Sequence, residues 1–170
     1  DVNLFKLLEE KYKTKKNIEI LNKDILETKI ENKINKNSVI FGNLPYNIST
    51  QVLVQFIKLK IWPPKYEKLI FMFQKEVAER ILAKYNTSKY GRLGIITKWR
   101  LKVIDSFQVS KNCFFPKPKV DSTLLVFEPT INKIYKIKNL DNLEKVTQVF
   151  FSRKRKMINK GFLELFKKNK

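Results

Sequence analysis

The chain has 170 residues, 43% of them hydrophobic, enough for one buried core and an appendage. It holds a single cysteine, Cys113, and no histidine, which excludes an internal disulfide, a zinc site of the usual Cys/His kind and every histidine-based nucleophile or general base. Lys and Arg number 36 against 16 acids, a formal charge of +20 that would draw in a polyanion such as nucleic acid; a lysine-enriching genome composition is the alternative source of the excess until the charge proves localised.

No run approaches the ~18 uninterrupted apolar residues of a membrane span. The start at Asp1 has neither an initiator Met nor a signal-peptide layout, so a cytoplasmic, amino-terminally incomplete chain is expected. Leu4, Leu7, Leu8 and Tyr12 recur at helical spacing, and Ile18–Leu21 reads as a short strand ending at Asp24. Ser38–Phe41 is a brief, β-branched, apolar run halted by Gly42, as in a parallel strand covered on both faces. The loop Asn43-Leu44-Pro45-Tyr46-Asn47 follows. From Ile48, apolar residues return at Val52, Phe56 and Leu59, with Asn47 or Ser49 available to cap the helix start.

Trp62-Pro63-Pro64 breaks that helix, and Leu69–Phe73 supplies a second continuous apolar strand. Gln74 opens another helix with Val77, Ile81, Leu82 and Tyr85 as its buried stripe and Lys75/Glu79 and Glu76/Arg80 as surface pairs. From Leu93 the period switches to two: Leu93, Ile95, Thr97, Trp99, Leu101 and Val103 alternate with Ile96, Lys98, Arg100 and Lys102, predicting a long strand with a cationic flank. Phe114–Lys119 is too proline-rich for regular structure, and Leu124–Phe127 forms a last strand. The order predicts an α/β fold: a mainly parallel sheet with an antiparallel edge, covered by helices. Residues 131–140 read as a polar linker, and a helical segment resumes at Asp141.

Asn43-Leu44-Pro45-Tyr46 lies at the carboxyl end of a buried strand, where open α/β sheets place ligands. The Asn43 side-chain oxygen and the Leu44 carbonyl, in a loop stiffened by Pro45, are two acceptors for the N–H groups of a planar exocyclic amine. Such an amine attacks a methyl sulfonium only when held in line with its developing charge stabilised. Tyr46 would stack on the base and offer its π face, worth about 1–2 kcal/mol. No strong base is required, because the proton can leave to water. The tetrapeptide alone also suits a plain turn with a packed aromatic.

Four blocks in order carry a resemblance across nearly the whole chain: Phe41–Thr50, Phe73–Arg80, Tyr90–Leu93 and Phe114–Ser122. Together they resemble the KsgA-type ribosomal small-subunit (16S) rRNA adenine N6,N6-dimethyltransferases. The resemblance implies a Rossmann-like class I methyltransferase sheet over residues 1–130, a linker at 131–140, and a small C-terminal helical domain beginning at 141–170. It implies S-adenosylmethionine as methyl donor, no metal, and two adjacent adenosines in the 3′-terminal hairpin of small-subunit RNA as target. The expected partner is the immature small ribosomal subunit, met by a monomer with no membrane association.

By position, Asn43, Leu44, Pro45, Tyr46 and Phe114 resemble the family's catalytic residues, with Phe114 closing over a flipped base opposite Tyr46. Asp24 resembles the acid that reads the donor's adenine amino group, Asn43 also borders the donor, and Asp1 resembles the end of the ribose-binding acidic motif. Asp24 equally suits a turn residue, and Phe114 ordinary core. The 141–170 segment holds nine basic residues against three acids, and its cluster Arg153-Lys154-Arg155-Lys156 resembles the family's basic, phosphate-gripping helix. The glycine-rich donor loop expected ahead of the first helix is not among the four glycines, Gly42, Gly91, Gly94 and Gly161. Two competing readings remain: a large-subunit rRNA adenine methyltransferase, or a non-catalytic RNA-binding assembly factor.

Overall fold

The computed structural model describes residues 1–131, 137, 140–152 and 158–166. They fall into two compact units, Asp1–Lys33 and Ile34–Lys170.

The first unit opens with the expected helix, α1 (Val2–Tyr12), whose amide groups at Asn3 and Leu4 donate to Asp1 Oδ1 at 2.9 and 3.0 Å. An N-terminal carboxylate satisfies otherwise orphaned donors and complements the helix dipole. The run Ile18–Leu21 does not become a strand: it is irregular, and Ile18 and Leu21 are exposed. A strand exists only through a hydrogen-bonded neighbour, and residues 1–33 contain no second strand to supply one. A 3-10 turn at Ile30–Asn32 buries Ile30, and Lys33 pairs with Glu19 at 2.7 Å.

The second unit is built on a four-stranded sheet. Its strands are β1 (Ser38–Gly42), β2 (Tyr66–Gln74), β3 (Leu101–Val109) and β4 (Ser122–Pro129), in the order β1-β2-β4-β3. β1 and β2 are parallel, aligning Ile40 with Leu69 and Gly42 with Phe71. β4 runs antiparallel to both β2 and β3. The α/β class therefore stands, and the antiparallel part takes two of the three pairings in the described sheet.

One face of this sheet is the core. Leu69, Phe71, Phe73, Leu125 and Phe127 are each at most 1% exposed, as are Val52, Leu53 and Ile57 of α2 (Ser49–Ile57). Phe56, Phe71, Phe73 and Phe127 form an edge-to-face chain with ring centroids 5.4, 6.4 and 6.2 Å apart. Such pairs add about 0.5–1.5 kcal/mol each beyond their buried area. The opposite face of β1 is not covered as the sequence suggested: Val39 and Phe41 are 43% and 74% exposed. β1 is a sheet edge here, and a continuous apolar run reports propensity rather than what lies over it.

Tyr66 also belongs to the core, 2% exposed, and its hydroxyl has no hydrogen-bond partner among the described residues. Burial pushes its phenol well above the usual tyrosine range. A buried unpaired hydroxyl costs more than it contributes. Tyr66→Phe should therefore leave the melting temperature unchanged or raise it by a few degrees. A clear fall would show that the hydroxyl is satisfied.

The segment read as a long period-two strand is divided in two. Arg92–Arg100 is helix α4, and only from Leu101 does β3 begin. The buried residues of α4 are Gly94, Ile96 and Thr97, so of the row Leu93, Ile95, Thr97 and Trp99 only Thr97 is buried. Gly94 decides the packing: a Cβ there would lie 2.9 Å from the Arg80 carbonyl oxygen at the end of α3 (Lys75–Leu82). The predicted stripe on α3 also shrinks. Ala78 and Ile81 are buried, whereas Leu82 is 39% and Tyr85 81% exposed because the helix stops at Leu82. Glu79 pairs with Lys89 instead of Lys75, a bond that holds its carboxyl below the usual range.

The supposed cationic flank is likewise not one surface. Lys98 donates to the Ala83 carbonyl, and Arg100 reaches the carbonyls of Ile57 and Leu59 at 2.7 and 2.8 Å. The chain continues beyond β4 into α5 (Leu140–Ser152) and α6 (Ile158–Phe166). Among the described residues no helix is long and apolar enough to cross a membrane.

Candidate active site

Parallel pairing of β1 with β2, and the reversal of β4, bring three connections to one end of the sheet. Gly42 ends β1 opposite Phe71, and Gln74 ends β2 opposite Ser122. Ser122 in turn lies opposite Val109 at the end of β3. Loop 43–48, the entry to α3 and the Phe114 loop (residues 110–121) all leave this edge. That is the carboxyl end of the parallel pair, the usual ligand side of an α/β sheet.

Gly42 makes the loop possible at close range. A Cβ there would fall 2.8 Å from the Phe71 ring and 3.0 Å from the Leu44 side chain. Beyond it the backbone turns on Pro45, whose carbonyl accepts the amides of Ile48 and Ser49, both at 3.1 Å. The Ser49 hydroxyl donates to the Tyr46 carbonyl at 3.1 Å rather than capping α2, whose N-cap position is Ile48 and which has no side-chain cap. These bonds occupy the carbonyls of Pro45 and Tyr46. The Leu44 carbonyl and the exposed Asn43 amide take no partner among the described residues, so the two acceptors singled out from the sequence are open.

Tyr46 is half-buried, and its hydroxyl lies 2.7 Å from the Ser122 Oγ. Phe114 is also half-buried, whereas its neighbour Phe115 is fully exposed. Cys113 is exposed on the 3-10 turn Lys111–Cys113. Asp24, in the first unit, holds Leu26 N at 2.8 Å through Oδ1, and Thr28 Oγ1 donates to its backbone carbonyl at 2.6 Å. The turn reading is thus correct for Oδ1. Oδ2 keeps no partner among the described residues, beside a depression lined by Asn22, Lys23, Thr28 and Asn32. Asp1 spends Oδ1 on capping α1. The basic cluster Arg153, Lys154, Arg155 and Lys156 lies outside the described residues.

Two features escaped the sequence reading. One is Ser122, whose partner is 76 residues away and leaves no local signal. The other is a groove of about 410 Å³ bounded by Thr50, Arg80, Gly91, Arg92, Glu144 and Phe151. Arg80, expected to pair with Glu76 on the surface of its helix, and Arg92 have no ion-pair partner among the described residues. Among the described residues no group of His, Cys, Asp and Glu is placed to hold a metal.

The family model described as ribosomal RNA adenine dimethylase matches residues 1–170. The chain belongs to the ribosomal RNA adenine dimethylase family. It is 43% identical over 173 residues to the ribosomal RNA small subunit methyltransferase A of Pelagibacter ubique, covering 100% of this chain and 64% of that protein. It is 41% identical over 149 residues to the protein of the same name from Rhizobium johnstonii, covering 87% and 54%. The chain thus spans less than two thirds of these dimethylase relatives. The crystal structure of a dimethyladenosine transferase from Plasmodium falciparum superposes with a TM-score of 0.81 at 29% identity, over 99% of this chain and 61% of that one. The 23S rRNA methyltransferase ErmE shares the fold at a TM-score of 0.67 and 24% identity, over 96% and 64%. The α/β, Rossmann-like architecture of the dimethylase family is therefore the architecture of this chain.

Proposed function

We propose that this protein dimethylates the N6 amino groups of two adjacent adenosines in the 3′-terminal hairpin of small-subunit ribosomal RNA, as part of ribosome assembly. The observation that carries the chemistry is the pair of open acceptors, Asn43 Oδ1 and the Leu44 carbonyl, at the carboxyl end of β1. The substrate assignment is supported by the names of the relatives.

S-adenosylmethionine, when bound, supplies an electrophilic methyl group. The Oδ2 of Asp24, which takes no partner among the described residues, suits the donor's adenine amino group, and Asn43 is the second residue that the family pattern expects to contact the donor. Asn43 and Leu44 accept the two N–H groups of the target amine and pull electron density toward its nitrogen. Pro45 limits the motion of that carbonyl. Tyr46 and Phe114 hold the two faces of the extruded base and stabilise charge growing on it. The amine proton passes to water after transfer, which is why a chain without histidine can run the reaction.

Residues 1–130 serve as the methyltransferase part, 131–140 as linker and 141–170 as the start of an RNA-binding helical domain, acting as a cytoplasmic monomer on the immature small subunit. The function test is transfer of labelled methyl groups by the full-length protein. Label in two adjacent N6-dimethyladenosines of immature small subunits is expected. Label in naked large-subunit RNA alone would assign the enzyme to that RNA instead, and tight binding with no label would make it an assembly factor.

The tail adds affinity rather than chemistry. Replacing Arg153, Lys154, Arg155 and Lys156 by glutamine should weaken RNA binding and flatten the slope of log K against log salt by roughly 3. Titrations at several salt concentrations measure this directly, and an unchanged slope would remove the cluster from the interface.

A further inference from the structure

Resting on that reading of Tyr46 and Phe114, we infer that the dipeptide Asp121-Ser122 is a positioning element that sets both aromatic side chains about the target base. Ser122 is 1% exposed and begins β4, the strand flanked on both sides, opposite Gln74 of β2 and Val109 of β3. Its backbone is pinned from two directions. The hydroxyl meets the Tyr46 hydroxyl at 2.7 Å.

Stability explains only the Ser122 side of this bond, whose buried hydroxyl needs a partner. Tyr46 is only half-buried, so water could satisfy its hydroxyl, and a neutral hydrogen bond contributes only about 1 kcal/mol net. What the bond supplies is orientation. A tyrosine ring in a loop would otherwise turn about two torsions, and anchoring its far end to the rigid middle of the sheet fixes the plane on which a base stacks.

Asp121 does the same for the other side. Its Oδ1 accepts the Lys111 amide at 2.9 Å, closing the Phe114 loop across its base, and its main-chain carbonyl accepts the Lys75 amide at 3.0 Å, tying that closure to the start of α3. Phe114 follows Lys111 by three residues through a 3-10 turn closed by Cys113 N to Ser110 O at 3.0 Å and Phe114 N to Lys111 O at 3.4 Å. Each aromatic residue is thus referred to the same two adjacent positions. Neither Asp121 nor Ser122 touches the base. They act through Phe114 and Tyr46.

The test is a double-mutant cycle in the full-length enzyme, read by single-turnover methyl transfer and by the fluorescence of RNA carrying 2-aminopurine at the target adenosine. Ser122→Ala and Tyr46→Phe should each slow transfer about tenfold, a fraction of what a misplacement of about 1 Å can cost. The double mutant should be no slower than either single one. KM for RNA should hold steady, and 2-aminopurine should stay brighter in the variants because it stacks less firmly. Ser122→Thr, which keeps a hydroxyl, should restore transfer; Asp121→Ala should slow it, and Asp121→Asn, which keeps the acceptor oxygen, should restore it. Unchanged transfer and unchanged fluorescence in Ser122→Ala would overturn the inference while leaving the parent's methylation intact, as would additive effects in the double mutant. A parent enzyme that methylates no adenosine in RNA would instead remove the functional reading on which the inference stands.

Discussion

Replacing Asn43 by alanine in the full-length protein should lower methyl transfer by about 100- to 1,000-fold, the range seen when one preorganised donor or acceptor is removed from a reacting centre. The direction follows from the loop's own hydrogen bonds. Pro45 and Tyr46 commit their carbonyls to starting α2, which leaves the Leu44 carbonyl and the Asn43 side chain as the acceptors free to face an amine. With Asn43 gone, one N–H loses its partner, and the nitrogen is neither enriched in electron density nor held in line. The loss should appear in the transfer step rather than in RNA affinity. Asn43 is exposed and has no described hydrogen bond, so the melting temperature should move little. Methylation of small-subunit RNA at the parent rate by Asn43→Ala would dismiss the catalytic assignment of the loop.

Arg100→Ala should cost about 3 kcal/mol of stability, a large effect for a residue outside the apolar core. The guanidinium donates to the carbonyls of Ile57 and Leu59, which α2 leaves unpaired at its carboxyl end, where a cation also meets the negative end of the helix dipole. It lies 4.3 Å from the Trp99 ring and 4.7 Å from the Trp62 ring. Trp62 donates to the Thr130 carbonyl at 3.1 Å, and Thr130 N donates to the Arg100 carbonyl at 2.8 Å, so one residue joins α2, α4 and the end of β4. Partial burial lowers its pKa from the ordinary arginine range, but two carbonyls and two aromatic faces compensate the lost hydration. Lysine cannot reproduce this fork, so Arg100→Lys should recover less than half of the loss. Urea denaturation of the two variants measures both values; a loss below about 1 kcal/mol in Arg100→Ala would show the cluster to be ornamental.

The sequence by itself determined the features that depend on near neighbours. Ser38–Phe41, Leu69–Phe73 and Leu124–Phe127 became strands, as short runs rich in apolar β-branched and aromatic residues flanked by polar or turn residues tend to do. Val52, Phe56 and Leu59 were buried as their spacing required. The loop Asn43–Tyr46 was placed at a strand end before any fold was known, since a strand, a glycine and a proline in succession leave it no other position.

Only the tertiary structure decided what depends on partners far along the chain. Residues 93–100 satisfy a period of two on paper, yet they are helical because Gly94 lets α4 rest on the last carbonyls of α3. Ile18–Leu21 has strand propensity and no strand to pair with in its unit. Arg80 looks like helix surface in one dimension and Arg92 like the approach to a strand, yet they border a single groove in three. Ser122 and Tyr46 are 76 residues apart, and nothing local marks either as the other's partner. Periodicity records which side of an element is apolar. Hydrogen bonds across the sheet, and the close approach that a missing Cβ permits, determine what that side meets.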